Sequence, residues 1–76
     1  MLFDGKIMLE FLSRNVDKMH PGAARIIKSK TKAVSPLTML AIARAVLKLL
    51  NSFKGGDFLT QLSNLIDSII APVAKK

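Results

Sequence analysis

Four stretches of this chain repeat apolar residues at helical spacing, and Pro, Gly and Ser punctuate the gaps between them. In the first, Ile7, Met8, Phe11, Leu12, Val16 and Met19 recur every three or four positions, the mark of one helical face. Asp4 is placed to cap this helix, which is expected over 4–19. Glu10 and Arg14 stand four apart in the favourable order, with Asp17 and Lys18 on the solvent side. His20-Pro21-Gly22 ends the pattern, because the residue before a proline is pushed out of helical geometry.

A second, short helix is expected over 23–34, with Ala23, Ile26, Ile27 and Val34 inward and Lys30 at the margin. Its Lys-Ser-Lys-Thr-Lys run has no acidic partner, so helix and loop both remain open for part of it. Ser35-Pro36 is the clearest start signal in the chain, a good N-cap followed by the residue preferred at the first helical position. The third helix, 36–54, carries only a narrow polar stripe of Arg44, Lys48 and Asn51 and is apolar around most of its circumference. Its length of about 28 Å at 1.5 Å per residue would permit a membrane span. Arg44 and Lys48 near its middle oppose one, at about 2.5–3.5 kcal/mol each. Gly55-Gly56 stops it, and Asp57 caps a fourth helix, 57–71, that ends before Pro72. There Leu59, Leu62, Ile66, Ile69 and Val73 step by three and four as a heptad seam. The opposite face, Thr60, Gln61, Ser63, Asn64, Asp67 and Ser68, is nearly uncharged and permits close approach of another helix.

These patterns predict a single all-α domain, either a helical hairpin or a small bundle of three to four helices. In the hairpin, arms 4–34 and 36–71 run antiparallel about the 35–36 turn, each arm bent or broken. Composition adds a reason for self-association. Half of the 76 residues are apolar, and a domain of this size buries only about 60% of its unfolded surface. The remainder must surface as patches, which mark self-association, a partner or a membrane. Leu49, Leu50, Phe53, Leu59, Leu62, Ile66 and Ile69 are the residues expected to join copies of the chain.

Charge sharpens the reading. Residues 1–22 and 57–76 each sum to zero, so the whole net charge of +7 lies between them. Arg25, Lys28, Lys30, Lys32, Arg44, Lys48 and Lys54 supply it, with no acid in the segment. Such a block is a footprint for a polyanion or an anionic membrane surface. No aromatic pair interleaves it and no polar recognition helix is present, so nucleic acid would be held by its phosphates and not read by sequence.

Chemistry is sparse. Cysteine is absent, there is one His, and the acids at 4, 10, 17, 57 and 67 are dispersed. No catalytic or phosphate-cradling motif occurs, and Gly55-Gly56 follows no strand. The expectation is a non-enzymatic protein with no cofactor, no metal and no small-molecule substrate. Its first expected role is that of a self-assembling basic structural protein, of coat or packaging type, that binds nucleic acid without sequence preference. The alternative is a membrane-active cationic helical peptide of bacteriocin type. The start of the chain shows no signal-peptide pattern, which favours a cytoplasmic or virion-associated protein.

Overall fold

The computed structural model describes residues 5–74, with side chains described for 5–71, so the expected Asp4 cap lies outside the described residues. Four helices follow in order: α1 Gly5–Met19, α2 Ala23–Lys30, α3 Pro36–Ser52 and α4 Phe58–Ala74. The protein is an all-α four-helix bundle.

Each boundary has a local cause. α1 gives way at His20-Pro21-Gly22, and Gly22 takes φ 100°, a conformation that needs glycine. Gly22 offers no side chain to cap α2. Asp17 does so from the end of α1, its Oδ1 accepting from the Gly22 N–H at 2.9 Å and the Ala24 N–H at 3.1 Å. Asp17 is therefore not simply a solvent-side residue, as its helical phase had suggested. α2 stops at Lys30, shorter than the stretch 23–34. Buried Thr31 closes it, its hydroxyl and its N–H both donating to the Ile27 carbonyl. Ser35 caps α3 through Thr38, with Pro36 in the first turn. α3 ends at Ser52, just before Phe53 turns extended and Gly55 and Gly56 take positive φ. At the start of α4, Asp57 accepts from the N–H and hydroxyl of Thr60. The Thr60 hydroxyl, with the Thr60 N–H after it, holds the Asp57 carboxyl below its ordinary 3.8. α4 continues past Pro72 to Ala74 instead of stopping near 71. A proline costs one amide donor and crowds one carbonyl, and so close to a helix end that cost stays within one turn.

The packing corrects the antiparallel hairpin. α1 lies on α3 and α2 on α4, with further contacts of α1 with α2 and α3 with α4. Gly5 at the start of α1 meets Pro36 and Leu40 at the start of α3, and His20 just after α1 meets Phe53 just after α3 edge to face. α1 and α3 therefore run parallel. α2 folds back along α1, and Ala24, Ile27 and Lys28 line one groove with Lys6, Leu9, Ser13 and Arg14. The molecule is two helix–turn–helix units laid side by side, first helix on first and second on second. The single-hairpin picture fails because the Pro21-Gly22 and Gly55-Gly56 breaks reverse the chain inside each arm.

Ten residues form the core: Leu9, Val16, Ala23, Ile27, Ile42, Ala43, Val46, Phe58, Leu62 and Ile66. A ring of half-buried side chains, among them Leu12, Ile26, Leu49, Leu50, Phe53, Leu59 and Ile69, packs against it. On α1 the inward face is Gly5, Leu9, Ser13 and Val16; of the expected stripe Val16 is buried and Leu12 half-buried, while Ile7, Met8, Phe11 and Met19 are exposed. The small residues at 5 and 13 let α1 come close to its neighbours, which a face of Ile, Met and Phe would forbid. A Cβ at Gly5 would collide with the Pro36 carbonyl oxygen and press on the Leu40 amide. Gly5→Ala should therefore cost about 1–3 kcal/mol, the usual price of overpacking, seen as a lower denaturant midpoint with an unchanged slope.

Candidate functional site

The seven cations expected to meet a polyanion are placed on two different parts of the surface. Arg25 and Lys28 project from α2 and Lys32 from the turn after it; Arg44 and Lys48 project from α3, and Lys54 from the loop beyond. All six are exposed, whereas Lys30 is half-buried and donates to Asp67 of α4 at 2.9 Å. The acid-free segment is thus partly neutralised by an acid from outside it. α2 and α3 do not touch, because α1 and α4 separate them. The cations therefore form two edges, with α1 between them on one side of the bundle.

The residues expected to join copies of the chain are placed differently from that expectation. Leu62 and Ile66 are wholly buried within one molecule. Leu49, Leu50, Phe53, Leu59 and Ile69 are half-buried against the same core. From Leu59 to Ile69 the seam of α4 is satisfied by α2 and α3 of its own chain, so that stretch is not a free surface. Apolar exposure lies elsewhere. Ile7 is 62% exposed, Phe11 69%, Met8 40% and Leu47 49%. Leu37 and Met19 are exposed as well.

Ile7, Met8, Phe11 and Leu47 converge on one face. Together with Leu12, Ala43 and Arg44 they line a groove between α1 and α3. On the other flank of α1 a second groove, shared with α2, is lined by Lys6, Glu10, Arg14 and Lys28 above Leu9, Ser13, Ala24 and Ile27. α1 thus presents an apolar ridge with cations on both sides: Arg44 towards α3, and Lys6, Arg14 and Lys28 towards α2. One carboxylate, Glu10, stands among them. The apolar ridge was within reach of the sequence. The sequence marks Ile7, Met8 and Phe11 as one helical face, and the spacing of Gly5, Leu9, Ser13 and Val16 is the signal that the tighter contact lies on another side of α1.

His20 lies outside this face. Its ring stacks on Phe58 with centroids 3.9 Å apart and planes 11° from parallel, and meets the edge of Phe53 at 5.7 Å. Phe53 and Phe58 are themselves edge to face at 5.1 Å. The trio joins the two interhelical breaks, a packing role for the imidazole. Among the described residues, no group of three or more His, Cys, Asp or Glu side chains is placed to hold a metal ion. Among the same residues, no helix is long and apolar enough to cross a membrane.

The fold and surface together define a small cationic four-helix protein with one apolar face. Comparison with known proteins takes this no further: no family model, no curated protein and no solved structure matches the chain.

Proposed function

We propose that the protein is a non-enzymatic binder of anionic membrane surfaces, docking through the ridge of α1 and the adjoining edge of α3. What supports this is one juxtaposition: Ile7, Met8, Phe11 and Leu47 stand exposed along one groove that Arg44 borders, and Lys6, Arg14 and Lys28 line the groove on the other flank of α1. Apolar side chains between basic ones suit a bilayer interface, where the chains enter the acyl boundary and each Lys or Arg near the surface contributes about 1 kcal/mol. The helices lie on such a surface and do not span it.

Two other occupants fit the face less well. Nucleic acid would use the cations but leave four large apolar side chains with nothing to do, since a phosphate backbone offers them no apolar surface. A second copy would bring another +7 and a second Arg44 against the first. The four side chains would also supply roughly 400 Å² at about 200 Å² per full side chain, against the ~800 Å² per partner of a stable interface. The packaging reading keeps one observation in its favour, the exposure of six cations from the acid-free segment.

Sedimentation with vesicles separates the readings. The protein should pellet with phosphatidylglycerol-rich vesicles at physiological salt, bind phosphatidylcholine vesicles at least tenfold more weakly, and leave duplex DNA at salt where vesicle binding persists. Binding to DNA with a steep salt slope, and none to anionic vesicles, would replace the membrane reading with the packaging one.

A further inference from the structure

The groove between α1 and α3 is more than an exposed patch. It is an open channel of about 430 Å³, within the range of small-ligand sites. Leu12 and buried Ala43 form its floor, Met8 and Leu47 its walls, and Ile7 and Phe11 its outer rim. Its shape follows from α1 and α3 running parallel. The rows Met8–Leu12 and Ala43–Leu47 face each other, and Ala43 is small enough to leave a furrow where a larger residue would have closed it. The only charged residue on the lining is Arg44, which lines it with its aliphatic stem and carries the guanidinium at the edge, outside the apolar walls. Arg44 is exposed and, among the described residues, makes no ion pair.

This lining selects its occupant. A sugar, nucleotide or peptide requires several converging hydrogen-bond partners, and here there is one cationic fork beside apolar walls. An aliphatic chain joined to an oxyanion matches both parts, because a guanidinium grips such a group through two parallel N–H···O bonds. We infer that the α1–α3 groove takes one acyl chain of an anionic phospholipid, with the lipid phosphate held by Arg44. The inference rests on the membrane reading and goes beyond it: the protein binds an individual lipid and does not only rest on a charged surface. The apolar groove and the unpaired guanidinium at its edge carry it; the basic groove on the other side of α1 takes no part.

The test uses the full chain and lyso-phosphatidylglycerol below its micelle-forming concentration, followed by NMR at the methyl groups of Met8, Leu12, Ala43 and Leu47. Saturable one-to-one binding is expected at these methyls, and glycerol phosphate, the same headgroup chemistry without a chain, should give no comparable response. Arg44→Gln, a change at an exposed position, should weaken lyso-phosphatidylglycerol binding at least tenfold. It should also weaken vesicle binding, but only by the roughly fivefold that one surface cation contributes, because Lys6, Arg14, Lys28 and Lys48 remain. Leu47→Gln should weaken the lipid titration as well, with the melting curve little changed. Shifts scattered over the whole surface, glycerol phosphate binding as tightly as the lipid, or indifference to Arg44 would each overturn the inference. If wild type fails to bind anionic vesicles at all, the membrane reading itself falls; if vesicle binding survives and only the titration fails, the single-lipid site alone is wrong.

Discussion

Ile66→Ala is expected to cost about 2–5 kcal/mol, the range for removing most of a buried aliphatic side chain. Ile66 has no exposed surface and sits among Leu62, Val46 and Ile27 in the buried cluster. A domain of 76 residues has a total stability on the order of 4–11 kcal/mol, so the change removes a large share of it. Ile66→Asp, which adds an unpaired buried charge to the lost packing, should leave the chain unfolded at room temperature. Circular dichroism during thermal denaturation measures both variants. A residue on a surface seam between copies would behave otherwise: the helices would persist and only the oligomer would dissociate. Ile66→Asp with native helicity and a sharp thermal transition would return Ile66 to the surface.

Ile7→Ser combined with Phe11→Ser should act in the opposite way, sparing the fold and removing the function. Full burial of such side chains is worth about 1.5–3 kcal/mol each. Ile7 is 62% and Phe11 69% exposed, so roughly two thirds of that remains to be gained at an interface, about 2–4 kcal/mol for the pair. Partition onto phosphatidylglycerol vesicles should fall by about 30- to 700-fold. The thermal midpoint should move little, because surface changes usually stay within about 0.5 kcal/mol. A double variant that partitions within threefold of wild type would show that the face is not the docking surface.

The two variants draw opposite consequences from residues that look alike in one dimension. Ile66 and Ile7 both lie on apolar stripes at helical spacing. In α4 the stripe through Leu62 and Ile66 is broad and the opposite face is polar, so which face is apolar was legible; the expectation gave that face to a second copy, and the structure buries it within the one chain. α1 carries two candidate faces. One is made of the larger residues Ile7, Met8 and Phe11; the other combines Leu9 and Val16 with Gly5 and Ser13. Hydrophobicity favours the first, and the packing distance to α3 decides for the second, because at Gly5 even a methyl group would strike the Pro36 carbonyl. The exposed apolar face follows from that choice.

Local chemistry along the chain was sufficient for the all-α class, for four helices and for their breaks. These depend on contacts between near neighbours: the Ser35 cap on Thr38, Pro36 in a first turn, and glycines at 22, 55 and 56 where φ turns positive. The acid-free segment from 23 to 56 was legible too, since counting charges needs no fold. Tertiary structure alone decided which helices pair, that α1 runs parallel to α3, that Lys30 meets Asp67 across 37 residues, and which face of α1 stays in the open. Each of these depends on groups distant in sequence meeting at close range. Side-chain volume and the reach of a hydrogen bond select among arrangements that the one-dimensional pattern leaves equally good.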